Sequence, residues 1–189
     1  GIYPIDSFFP FNSGYDVLNG FFPFKDYWTR TGPFIDLIQA LFFKTFGVSW
    51  FSYVFHASIF NFLFAISTFY TLRKFKLDTH YCFFYSLLVA ILAYPSAGTP
   101  YGDHQSSYLS VMAIFCFILA LRTNLRIFWF FLPIIFGMAF LTKQAPTGQI
   151  FLIVVFLSII YFIFNFNLGK IIFGIIGSLL FIFIFLIIL

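Results

Sequence analysis

Residues 50–72 read WFSYVFHASIFNFLFAISTFYTL, a run without a single Asp, Glu, Lys or Arg. As a helix it would measure about 34 Å, against a hydrocarbon core of about 30 Å. Arg73 and Lys74 follow at once and mark where the apolar run stops. The rest of the chain is of the same kind. Of 189 residues, 62% are hydrophobic and 8% charged, where a soluble domain carries roughly 25% charged residues. So few charges cannot coat a globule in water, which excludes a soluble enzyme, a disordered tail and a nucleic-acid-binding domain. The net charge of +4 is therefore informative through its placement in loops, not as a footprint for nucleic acid.

Downstream, five more apolar stretches follow at 81–95, 106–121, 127–142, 150–166 and 171–189, giving six expected spans within 49–189. Some are short, since a 16-residue helix such as 106–121 reaches only about 24 Å. Either the boundaries shift by a few residues, or the polar loops between spans sink into one leaflet. Upstream, residues 1–48 are punctuated by Pro4, Pro10, Pro23 and Pro33 and by Gly14, Gly20 and Gly32, which predicts short turns and short helices. The clearest helix there covers 34–46, with Pro33 at its first position and Gly47 as its stop. Asp36, Gln39 and Lys44 fall near one side of it, and the segment is read as an amphipathic helix lying at the interface. The expected fold class is all-α: a multi-spanning transmembrane helical bundle whose outer-face N-terminal loop, residues 1–48, carries that helix. Because it starts at Gly1 and stops at Leu189 without a polar exit, the chain reads as a fragment of a longer membrane domain.

Orientation follows from the loops. One set of alternate loops holds Arg73, Lys74, Lys76, Arg122, Arg126 and Lys170 with Asp78 as its single acid. The other holds Lys143, Lys25, Arg30 and Lys44 together with Asp6, Asp16, Asp26, Asp36 and Asp103. The positive-inside rule puts the first set in the cytoplasm and the second outside. No internal repeat is visible, so a transporter built from inverted repeats gains no support. Cys82 and Cys116 sit in apolar runs and offer neither a disulfide framework nor zinc-ligand spacing. The spacing of Gly174, Gly177 and Ser178 permits close helix packing.

Three polar groups share the outer side. The first is the N-terminal loop, with Asp6 near its start and Asp26-Tyr-Trp-Thr-Arg30 further on. Each acid is either a solvated loop charge or a catalytic carboxylate. The second is Tyr101-Gly-Asp-His-Gln105, where Asp103 and His104 can donate lone pairs to a divalent metal ion. Two ligands do not complete a site, Asp6 is the obvious third, and a plain turn started by Pro100 and Gly102 is the alternative. The third is Leu141-Thr-Lys-Gln-Ala-Pro-Thr147, whose Lys143 either snorkels to the headgroups or holds a phosphate. His56 and Asn61 lie inside the first long span, where helix–helix hydrogen bonding accounts for them. His80 reads as an interfacial residue.

An acid just after a presumed first span is followed by Gly14-Tyr-Asp-Val-Leu-Asn-Gly-Phe-Phe-Pro-Phe-Lys-Asp-Tyr-Trp28, then by Gly32-Pro33, then by a helix ending Leu41-Phe-Phe-Lys-Thr-Phe-Gly47. This arrangement resembles the GT-C superfamily of multi-spanning glycosyltransferases, in its protein-mannosyltransferase and aminoarabinose-transferase-like branch. The run Gly137-Met-Ala-Phe-Leu-Thr-Lys-Gln-Ala-Pro146 resembles that group's Gly–Leu–Thr–Lys–x–x–Pro stretch. Two positions depart from the pattern: Ser7 stands where an acid often follows, and Thr31-Gly-Pro33 replaces Lys-Pro-Pro.

The resemblance implies an enzyme that transfers a hexose or pentose from a polyprenyl-phosphate donor to a glycan, lipid or protein acceptor on the extracytoplasmic side. It implies Asp6 as the catalytic acid of the first loop, Lys143 as a contact to the donor phosphate, and Asp103 in a loop where related oligosaccharyltransferases keep a metal-binding acid; Arg30 stands in for the missing basic residue at the phosphate, and His104 joins Asp103 by its own chemistry. Asp26 is a further candidate. A bacterial cytoplasmic membrane, with the active site on its periplasmic face, is the expected location. The rival readings are a polytopic transporter or flippase, which should carry its ionisable residues at the midplane of the spans, and a noncatalytic membrane scaffold.

Overall fold

The structure, a computed structural model, describes residues 4–29 and 31–188, with side chains for 8–29 and 31–186. Eight helices follow one another among the described residues: α1 (Pro4–Leu18), α2 (Pro33–Phe46), α3 (Trp50–Lys74), α4 (Thr79–Leu92), α5 (Gly102–Arg122), α6 (Ile127–Thr142), α7 (Gln144–Phe164) and α8 (Leu168–Ile188). No strand forms among them, and the fold is all-α as the composition requires. Four helices are long and apolar enough to cross a membrane, namely α3, α5, α7 and α8, while α4 and α6 are apolar but shorter. A multi-pass membrane protein is the architecture these helices fit.

Local chemistry accounts for many of the helix ends. Pro33 opens α2 behind Gly32, and Gly47 ends it at φ +80°, a left-handed backbone that glycine adopts without steric penalty. The Ser49 hydroxyl caps α3 by accepting from the Ser52 amide at 3.2 Å, and the Asp78 carboxylate caps α4 through the His80 amide at 2.8 Å. Of the short helices and turns expected in residues 1–48, α1 is 15 residues long with Pro10 inside it, α2 follows, and turns occupy 19–27 between them. Packing overrides the proline signal in α1: Phe11 meets Phe43 at 4.8 Å and Tyr53 at 5.3 Å, and Phe8 lies against Trp50 at 5.7 Å.

The core lies between α5, α6 and α7, where Ala113, Cys116, Phe117, Ala120, Trp129, Leu132, Phe136 and Val154 pack together. Helix α8 approaches α6 closely because Gly177 has no side chain. A Cβ there would run into the Phe130 carbonyl oxygen. The glycine spacing therefore permits the close packing it predicts.

Charge is sorted between the two ends of the bundle. Arg122 stacks over the Phe75 ring at 4.4 Å, and the Arg126 guanidinium lies against Gly169. These contacts gather the α3–α4, α5–α6 and α7–α8 connections, with their six basic residues, at one end. At the other end the Gly32 amide donates to the Thr142 carbonyl at 2.7 Å, which brings the start of α2 to the junction of α6 and α7.

Helix α2 departs from the surface-helix expectation. Asp36 and Gln39 are fully buried, whereas Leu41 and Phe46 are about half exposed. Its buried face mixes that polar pair with Ile35, Ala40 and Phe43, and Lys44 lies on the exposed side with Leu41 and Phe46.

Candidate functional site

The first turns of α2 and α5 meet the α6–α7 junction beside α1, and the meeting point holds a cavity of about 150 Å³. Phe9, Pro10, Thr31, Tyr101, Gly102, Asp103 and Lys143 line it. Two glycines make the approach possible. Gly32 sits flush on the end of α6, where a Cβ would collide with the Leu141 carbonyl, and a Cβ on Gly102 would stand 2.5 Å from the Thr31 methyl. Within the cavity the Lys143 ammonium donates to the Asp103 carboxylate. Both side chains remain partly open to the surface, so the pair can be exchanged rather than sealed in the core.

Helix α5 starts at Gly102, earlier than the sequence suggests, so Asp103 and His104 stand in its first turn and not in a loop. An acid there meets the positive end of the helix dipole, which favours the helical start. Likewise the expected 143–149 loop contracts to Lys143 and a kink at Ala145 before α7 becomes regular. The Thr31 hydroxyl oxygen is buried without a partner among the described residues. A cation with its paired carboxylate, a buried hydroxyl without a partner among the described residues and a helix N-terminus thus meet at one small cavity.

The other predicted residues fall as follows. Asp6 belongs to α1, one turn ahead of Phe9 and Pro10, but its side chain lies outside the described residues. Arg30 lies outside them altogether. Asp26 is exposed and closes the 22–27 turn by accepting from the Phe22 amide at 2.8 Å, away from the cavity lining. His104 sits beside the Tyr101 and Tyr108 rings at 5.5 and 6.3 Å, and its Nδ1 is buried without a partner among the described residues. Among the described residues no three His, Cys, Asp or Glu side chains come together, and Lys143 already takes the Asp103 carboxylate. Asp6, the third ligand of the expected metal site, has its side chain outside those residues.

No protein-family model, curated protein or solved structure matches the chain. The chemistry of the site therefore rests on its own geometry.

Further buried polar pairs link the helices, and sequence reading did not single them out as a site. Ser13 donates to Asp36 at 2.6 Å and Tyr27 donates to it at 3.0 Å. One turn along α2, Gln39 pairs with His56 Nδ1 at 2.8 Å. Between α5 and α7, Ser110 meets Thr147 at 2.9 Å. The available signal was the i, i+3 spacing of Asp36 and Gln39 on a helix otherwise apolar on nearly every side.

Burial pushes the Asp36 carboxyl up to about 6, with the Ser13 and Tyr27 hydroxyls opposing that rise. The Tyr27 phenol is raised too, first by burial and then by the neighbouring Asp36 charge. The folded chain therefore binds a proton in a window where the unfolded chain has lost it. Stability should be full below about pH 4 and fall by about 3 kcal/mol as pH rises through about 6. Thermal unfolding of the detergent-solubilised protein at stepped pH measures this. Asp36→Asn should flatten the slope in that window, and an unchanged slope would locate the titration elsewhere.

Proposed function

We propose that the chain is part of a membrane glycosyltransferase of the GT-C kind, drawing its sugar from a polyprenyl-phosphate donor. The observation that carries the reading is the Lys143–Asp103 pair in a small cavity walled by Phe9 and Pro10, one turn along α1 from Asp6. In the proposed reaction an acceptor hydroxyl attacks the anomeric carbon of the sugar, and Asp6 takes the hydroxyl proton. The bond from that carbon to the phosphate oxygen breaks, and the phosphate leaves on its polyprenyl chain with both bonding electrons. Lys143 meets the charge that develops on it, assisted by Arg30, while Asp103 holds the ammonium in place before the donor arrives. The isoprenoid tail runs along the Phe-rich outer surfaces of the spans.

Orientation belongs to the same proposal. The end with six basic residues faces the cytoplasm, the cavity faces the periplasm of a bacterial inner membrane, and α2 lies near the outer interface. Concentration of the acids at the cavity end favours this enzyme over a transporter, whose ionisable groups belong at the midplane.

The test is transfer itself. Membranes containing the protein should move a labelled hexose or pentose from a polyprenyl-phosphate donor into a lipid, glycan or protein fraction, and membranes lacking it should not. Equal labelling in both membranes, across hexose and pentose donors, would overturn the proposal.

A further inference from the structure

Helices α7 and α8 are joined by only residues 165–167, yet both lean on α6 rather than on each other. The gap between them is a groove of about 860 Å³, walled by apolar residues such as Phe162, Ile163 and Ile175 and opened on one side by Gly174 and Ser178. Two of its lining residues are out of place in a purely apolar groove. Lys170 is 6% exposed, and its ammonium donates to the Tyr161 hydroxyl at 3.0 Å and sits over that ring at 5.4 Å. No carboxylate pairs with it among the described residues. Trp129 is 4% exposed, stacks on the same Tyr161 ring at 5.7 Å, and its indole N–H has no acceptor among the described residues.

The surroundings add positive charge and no negative charge. Arg126 lies against Gly169, next in sequence to Lys170. Lys170 also occupies the first turn of α8, where the Asn167 side chain accepts its amide at 3.1 Å and the helix dipole is positive. Asp78, the one acid in the loops at this end, is engaged in capping α4. A buried ammonium whose acceptor is a neutral hydroxyl, an N–H without an acceptor among the described residues and the first turn of a helix therefore meet at the head of a long apolar groove, with no carboxylate among them. Charges at membrane depth are costly and are retained where they meet a counter-charge.

We infer that this groove binds one anionic phospholipid, with the phosphate on Lys170 beside Arg126 and an acyl chain between α7 and α8. Trp129 lies in the groove wall beside the lipid. A zwitterionic lipid fits poorly, because its ammonium would face Arg126 and Lys170 with no acid to receive it. Basic pockets between membrane helices hold anionic headgroups by this balance of charge. The site lies at the opposite end of the bundle from the Asp103 cavity and does not depend on the glycosyltransferase reading.

Trp129 itself is the probe. Trp28→Phe and Trp50→Phe remove the other two tryptophans, neither of which lines the groove. The protein is reconstituted in phosphatidylcholine vesicles with rising fractions of brominated phosphatidylglycerol or, in parallel, brominated phosphatidylcholine. Half-maximal quenching of Trp129 is expected at about fivefold lower mole fraction of the anionic lipid. Lys170→Gln should abolish the preference, Lys170→Arg should keep it, and Lys74→Gln, an exposed cation at the same end, should leave it unchanged. Equal quenching by the two lipids, no quenching by either, or a preference that survives Lys170→Gln would each overturn the inference. Should Lys170→Gln fail to reconstitute, the comparison of the two lipids on native Lys170 still decides.

Discussion

Replacing Asp6 by asparagine is expected to leave the helical bundle intact and to lower sugar transfer by about 10²–10⁴-fold, the usual contribution of a positioned general base. Asparagine keeps the shape of the side chain and removes its capacity to accept a proton. Position 6 lies in the first turns of α1, and the contacts that anchor this helix are made further along by Phe8, Phe11 and Ser13. A purely structural effect should therefore be small. Circular dichroism and thermal unfolding of the Asn variant check the fold, and transfer from a labelled polyprenyl-phosphate donor checks the chemistry. The pH profile adds a second reading: the low-pH limb that reports ionisation of the base should vanish with Asp6. An Asn variant that turns over like the native protein would make Asp6 an ordinary surface acid and remove the proposed base.

How much of this was legible beforehand depends on the physical scale of each feature. Each of the six apolar runs falls on a helix, and 127–142 coincides with α6 because charged loops border it, but only four of those helices are long and apolar enough to cross a membrane. The start of α5 was missed by four residues, since Gly102, Asp103, His104 and Gln105 read as a polar loop. In the folded chain they make a helical first turn that Asp103 favours electrostatically and that packs on Thr31. Helix α1 was illegible for a different reason. Prolines and glycines argue for turns there, and only the aromatic contacts to α2 and α3, distant in sequence, outweigh them. The pairing of Asp103 with Lys143 spans 40 positions of sequence. Sequence reading named both residues but gave them separate tasks.

The burial of Asp36 and Gln39 carries a broader point. In water an apolar face turns inward because water expels it, and polar residues mark the surface. Where lipid is the solvent that drive between helices is absent, and polar groups turn inward to find partners. Asp36 and Gln39 of α2 likewise find interior partners in Ser13, Tyr27 and His56, while Lys44 of the same stripe stays exposed.

Lys143 should be the second residue whose loss is felt most. Lys143→Gln is expected to lower turnover by about 10²–10³-fold, the range for removing one group that stabilises developing negative charge. Its cost to stability should be small, because a partly exposed ion pair contributes about 0–1 kcal/mol. Transfer kinetics and melting temperature together separate the two roles. Asp103→Asn distinguishes them further. If the carboxylate only holds the ammonium until a phosphate replaces it, the Asn variant should bind donor at least as well as the native protein and keep most of its turnover. The double variant should then behave like Lys143→Gln alone, since Asp103 has no task once the lysine is gone. The opposite pattern, with a lower melting temperature in both single variants and native turnover in each, would make the pair a brace between α5 and the α6–α7 junction. In that case the cavity would lose its claim to the donor phosphate, because no other described cation lines it.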